Sequence, residues 1–181
     1  MPNGMDAGLA VGAETERIRA FLGAAGEAAR DDGDPDGTIV EIGPGDDAAA
    51  FLPSPGERIV VSVDASVEGI HFRRAWMTWE TIGYRAAAAA LSDLAAMAAA
   101  PLGLLVSAAL PPEHGIETAS AIGAGVGEAL AGSGGTLLGG DLVASPGPVF
   151  LDVTVLGRAS APIRRRGARP GDVLWVTGHL G

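Results

Sequence analysis

The chain contains no cysteine, and aromatic residues make up only 4% of its 181 positions. The first absence excludes disulfides and thiolate metal sites, and it suits a reducing cytoplasm, the expected compartment. The second, beside 28 glycines and long alanine runs, points to helix-on-sheet packing through small side chains instead of a core of large rings. Positive charge is scarce as well. With 22 acidic against 12 basic residues the net charge is −10, and its long-range field repels nucleic acid and anionic membrane. A phosphate-bearing substrate would need local cations, either a metal or a placed arginine.

No basic stretch followed by an apolar run opens the chain, so no secretory leader is expected. Residues 86–110 imitate a membrane span in length, with Asp93 as their only charge. That charge would lie at membrane depth, Pro101 divides the run, and much of it is alanine, so a buried helix followed by a buried strand is expected instead. The length suits one domain with a real core, or one domain plus an extension.

The organising stretch is Ile42-Gly43-Pro44-Gly45-Asp46-Asp47-Ala48-Ala49-Ala50-Phe51, a strand pattern interrupted by a turn that delivers two adjacent carboxylates. Taken alone it is either a solvated hairpin tip or part of a divalent-cation site, since Mg²⁺ takes one or two carboxylates and fills its shell with water and phosphate oxygens. Residues 1–13 are expected to be mobile, and residues 14–30 form an amphipathic helix through Ile18, Phe21, Leu22 and Ala25. The acidic run 31–37 lacks the spacing of a calcium loop and reads as a solvated linker.

Further on, residues 58–63 form a β-branched run that reads as a buried strand, with Asp64 arriving at its end. Thr78 caps a helix with Glu80 in its first turn, and the helix runs through Asp93 to Met97. A carboxylate among Ala and Leu several turns in needs a cation or several donors, unless it lies on the exposed face. Strand 102–110, helix 116–130 and strand 136–141 follow, the last ending in Gly139-Gly140-Asp141, where glycines let backbone approach a ligand. Strand 149–156, a basic loop from Arg164 to Asp172 and a last strand 173–177 complete the pattern. Four separate acidic positions, Asp46-Asp47, Asp64, Asp93 and Asp141, together with a concentrated basic loop, suit phosphoryl transfer, which needs charge neutralisation more than a protein nucleophile. A Walker phosphate loop is lacking, since residues 132–135 carry no Lys-Ser/Thr.

The motifs Gly45-Asp46-Asp47-Ala48-Ala49, Ser62-Val63-Asp64, Glu68-Gly69-Ile70-His71-Phe72, Leu91-Ser92-Asp93-Leu94-Ala95-Ala96-Met97, Gly139-Gly140-Asp141 and Arg165 through Asp172 resemble, in order, the thiamine-monophosphate kinase family. That family lies in the superfamily of aminoimidazole ribonucleotide synthetase and selenophosphate synthetase. The resemblance covers residues from about 38 to the end. It implies ATP-dependent phosphorylation of thiamine phosphate to thiamine diphosphate, by direct in-line transfer with Mg²⁺. It further implies Asp47, Ser62, Val63 through its carbonyl, Asp64, Asp93 and Asp141 as metal ligands, Gly140 and Arg165 as ATP contacts, and His71 as a contact to the acceptor. Without the resemblance, His71 reads as a core histidine beside Phe72, and Arg165 as a solvated charge. The family usually has Thr where Val63 stands, a change tolerable for a carbonyl ligand.

The expected fold is α+β, a mixed β-sheet packed against α-helices, as in the aminoimidazole ribonucleotide synthetase-like N-terminal domain. Residues 1–37 are expected to be a flexible N-terminus, helix and acidic linker, and 38–181 an ATP- and Mg²⁺-binding kinase domain. The family's C-terminal domain is expected to be absent from this chain. By resemblance, such domains pair through their sheets into a homodimer. Two other readings stay open: another ATP-using member of the superfamily, or a non-catalytic nucleotide-binding or dimerisation module.

Overall fold

The computed structural model describes residues 11–28, 40–42, 48–176 and 178. Its elements are α1 (Val11–Ala28), β1 (Val40–Ile42), β2 (Ala50–Phe51), β3 (Arg58–Val67), α2 (Trp79–Ala96), β4 (Ala100–Leu110), α3 (Ile116–Ser133), β5 (Thr136–Ala144) and β6 (Phe150–Ala159). β1 and β2 form an antiparallel pair on either side of residues 43–47, which lie outside the described ones.

The main sheet has four strands in the order β3-β6-β4-β5. β6 runs antiparallel to both β3 and β4, while β4 and β5 are parallel. Helices α2 and α3 are thus the crossovers of two βαβ units, with β6 inserted between the strands of the first. The fold is the mixed α+β architecture expected.

The helices cover one face of the sheet. Along β6 the residues Leu151, Val153 and Val155 are buried while Asp152, Thr154 and Leu156 between them are only half-buried, the period-2 alternation of a sheet with one packed face. The packed face meets Ala86, Ala87, Ala90 and Leu94 of α2 and Ile122, Val126 and Leu130 of α3. Small residues set the helix spacing: a Cβ on Gly125 would stand 1.9 Å from the Glu80 carbonyl oxygen, and one on Gly83 2.1 Å from that of Ile122. α1 packs on α3 and β5, burying Phe21 and Ala25 and half-burying Ile18 and Leu22, the stripe its sequence implies. It also buries Arg17, whose Nη2 donates to the Pro112 carbonyl at 3.3 Å.

Several expectations need correction. α1 begins at Val11, inside the stretch read as mobile. β3 is an edge strand, not a strand buried on both sides: Val61 and Val63 are each 59% exposed on the face no helix covers. Asp64 and Asp141 do not end their strands, because β3 continues through Ala65, Ser66 and Val67 against β6, and β5 continues to Ala144 against β4. Residues 173–176 form no strand, and Val173, Leu174, Trp175 and Val176 are exposed; among the described residues no strand lies beside them. Among the described residues no helix is long and apolar enough to cross a membrane.

Candidate functional site

β3 and α2 lie side by side with a groove between them. The Ser62 hydroxyl donates to Asp93 Oδ2 at 2.5 Å, joining two candidate metal ligands on different elements. Asp93 lies on the exposed face of α2, and a strand hydroxyl donates to it. Asp64, two residues beyond Ser62, points to the same side of β3. It lines a cavity of about 150 Å³ with Ser66, His71, Phe72, Met77, Arg85 and Ala89.

His71 is held by a tight turn. Gly69 adopts φ +82°, a left-handed conformation that favours glycine, and the His71 N–H donates to the Val67 carbonyl at 2.8 Å. In return the Val67 N–H donates to His71 Nδ1 at 3.0 Å. A backbone donor at Nδ1 leaves Nε2 to carry the proton of the neutral ring, so His71 offers an N–H to whatever enters the cavity. The turn is tied to β6 by Glu68, whose Oε2 accepts from the Val149 N–H at 3.3 Å. His71 is exposed and Phe72 is the buried partner, so the core-histidine reading does not hold.

A basic segment is anchored near the other end of α2. The Ile163 N–H donates to the Met97 carbonyl at 2.9 Å, fastening the segment that precedes Arg164, Arg165 and Arg166 to the C-terminal end of α2, one turn beyond Asp93. All three arginines are exposed.

Gly140 and Asp141 lie elsewhere. Asp64, Val153, Val106 and Gly140 are successive partners across the four strands, which puts Asp64 and Gly140 three strand spacings apart, about 14 Å. Asp141 occupies the sheet face opposite the helices. There it lines a second cavity, about 540 Å³, with Ser107, Gly139, Gly140, Asp152, Thr154 and the residues Ala48 and Ala49 that follow Asp47. Asp47 itself lies outside the described residues. The glycines have a packing reason: a Cβ on Gly140 would meet the Val106 carbonyl oxygen at 2.0 Å, and Gly139, at φ +150°, sits opposite a register shift in β4.

One chain thus gathers Ser62, Asp64 and Asp93 along one groove and places Asp141 on the other face. Among the described residues no three acidic or histidine side chains approach closely enough to hold a metal ion. Asp152 and Arg85 escaped the reading of the sequence. Asp152 was signalled by the alternation of β6 between apolar and polar positions, and Arg85 by its place two helical steps of four before Asp93.

A mixed four-stranded sheet with its helices on one face defines a class, and residues 45–159 match it: the chain belongs to the family described as AIR synthase related protein, N-terminal domain. Within that class the chain is similar to several thiamine-monophosphate kinases. The thiamine-monophosphate kinase of Synechococcus elongatus is 45% identical over 139 residues, covering 76% of this chain and 42% of that protein. That of Rhodopirellula baltica is 39% identical over 149 residues, covering 78% and 47%. The solved thiamine-monophosphate kinase of Stenotrophomonas maltophilia K279a superposes with a TM-score of 0.69 at 31% identity, covering 84% of this chain and 46% of that one. The chain therefore spans less than half the length of these relatives.

Proposed function

We propose that these residues serve ATP-dependent phosphorylation of thiamine phosphate to thiamine diphosphate by direct in-line transfer. The observation that carries this reading is the Ser62 to Asp93 contact. It places a hydroxyl and a carboxylate side by side in a groove that continues into a cavity lined by Asp64, His71 and Arg85. The names of the similar proteins support the choice of acceptor.

The donor set suits Mg²⁺, since Ser62, Asp64 and Asp93 offer oxygen alone and leave positions for water and phosphate oxygens. When bound there, Mg²⁺ would neutralise charge on the transferred phosphoryl group. The chain's own residues do the rest. Arg165, on the loop fastened at Met97, approaches the nucleotide at one end, and His71 donates through Nε2 to the acceptor at the other. The transfer itself breaks the bond between the γ-phosphorus and its bridging oxygen as the acceptor phosphate oxygen attacks. No protein nucleophile is needed.

Asp141 and Asp47 enter this reading through a homodimer. The face that carries Asp141 also exposes Val61 and Val63, and pairing two such faces would bring Asp141 and the residues beside Ala48 of one copy towards the β3 edge of the other. The reading gains from the fact that one copy cannot bring Asp141 to Asp64 across 14 Å of sheet, an approximate span set by strand spacing.

The test is coupled ADP release by the full-length protein with thiamine phosphate as acceptor; turnover no greater than background ATP hydrolysis would overturn it. Asp93→Asn should weaken Mg²⁺-dependent ATP binding at least about tenfold by calorimetry while the unfolding midpoint stays nearly unchanged. Equal ATP affinity of the unmodified protein with and without Mg²⁺ would contradict the role of Asp93. ATP binding without transfer would favour a nucleotide-binding module.

A further inference from the structure

We propose that Arg85 receives the phosphate of the acceptor, and so makes the protein select a phosphate monoester over the unphosphorylated alcohol; the assignment rests on the kinase reading above. Arg85 is the one fixed cation lining the 150 Å³ cavity that also holds Asp64, Ser66 and His71. A single water occupies about 30 Å³ of the liquid, so the space takes a group several times larger.

Its guanidinium is uncommitted. The contact recorded for it is Nη1 donating to the Met77 sulfur at 3.3 Å, a weak acceptor. Among the described residues no carboxylate forms an ion pair with it, although Asp64 lines the same cavity. The long side chain is exposed at the cavity rim. A planar fork of donors with no carboxylate partner is the group that binds phosphate bidentately.

The surroundings fit that role. His71 lines the same cavity, and the Val67 N–H at Nδ1 leaves its other nitrogen, Nε2, to act as a donor. Alanines keep the groove open: Ala86 and Ala89 line the cavity beside Arg85 where larger side chains would fill it. Along α2, Arg85 precedes Asp93 by eight residues, about 12 Å of helix. Along β3, Ser62 to Ser66 covers about 13 Å. The two elements therefore run past each other in opposite directions, with Asp93 against Ser62 and Arg85 near Ser66. An acceptor phosphate held at Arg85 and His71 directs a free oxygen along the groove towards Asp64 and Asp93.

The experiment compares Arg85→Gln and Arg85→Lys with the unmodified full-length protein. Arg85→Gln should raise KM for thiamine phosphate about 10- to 100-fold while KM for ATP changes less than about twofold. Arg85→Lys keeps the charge without the fork and should fall between. By calorimetry the unmodified protein should bind thiamine phosphate at least about tenfold more tightly than thiamine, and Arg85→Gln should abolish that preference. If the unmodified protein transfers phosphate and Arg85→Gln matches it, or raises both KM values alike, the assignment falls and the kinase reading stands. If no transfer occurs at all, the kinase reading falls. Arg85 is then judged on thiamine phosphate binding alone: a monoester preference lost in Arg85→Gln supports it, and no preference overturns it.

Discussion

Replacing Gly125 by alanine sets two physical effects against each other. In a helix interior alanine is favoured over glycine by about 1 kcal/mol, so propensity alone makes Gly125→Ala stabilising. The structure gives the opposite sign. The added Cβ would lie 1.9 Å from the Glu80 carbonyl oxygen, 2.7 Å from the Tyr84 nitrogen and 2.8 Å from the Glu80 carbonyl carbon. Those are backbone atoms of α2, which cannot rotate aside as a side chain would. To restore ordinary contact at 3.4 Å, α2 and α3 must part by roughly 1.5 Å where they bury Ile82, Ile122 and Val126. The net loss should be about 2 kcal/mol or more, a fall in Tm of about 4–8 °C for a domain of this size. Gly23→Ala in α1 is the control, since nothing lies within 4 Å of its added Cβ; it should gain about 0.5–1 kcal/mol. Urea unfolding followed by circular dichroism reads both. A Gly125→Ala protein as stable as the unmodified one would refute the close approach of the two helices.

Val61→Asp should convert a dimer to monomers in light scattering, because the charge lands on the open face of an edge strand; a dimer that persists would exclude that face as the interface. The Glu80 carboxyl is held below the usual carboxylate range by its own backbone N–H and then by the Thr78 hydroxyl; burial opposes these, and Arg74 adds the smallest lowering effect. A depressed pKa stabilises the fold above the unfolded value and stops doing so as pH falls through the folded one. Glu80→Gln should therefore cost about 0.3 kcal/mol near neutrality, allowing for solvent screening. That difference should vanish in acid, and a cost that is independent of pH would assign the effect to something other than charge.

The elements legible in the sequence were those whose signals are local. Thr78 caps α2 with its Oγ1 accepting from the Thr81 N–H, and the helix stops at Met97 as the motif implied. α3 begins at Ile116 as read, and Gly134 ends it in a left-handed conformation. Tertiary placement was what the residues could not carry. A β-branched run such as Ile59-Val60-Val61 has the same composition in a central strand and in an edge strand whose one face is bare. Likewise Val173-Leu174-Trp175-Val176 has strand propensity but, among the described residues, no neighbouring strand to hydrogen-bond.

The site divides along the same line. Ser62 and Asp64 share one face of β3 by readable strand alternation, whereas the Gly69 turn brings His71, and the packing of α2 on β3 brings Asp93, to the same groove. Asp141 differs because of a single residue. In β5 both Leu137 and Leu142 belong to the core on the helix side, although they stand five positions apart, an odd offset. Strict alternation cannot do that. The register shift opposite Gly139, with its φ of +150°, inserts one residue and inverts the pattern beyond it. Without that inversion Asp141 would face the helices and Leu142 the open side. The double glycine thus turns the carboxylate away from its own chain's groove and onto the open face of the sheet.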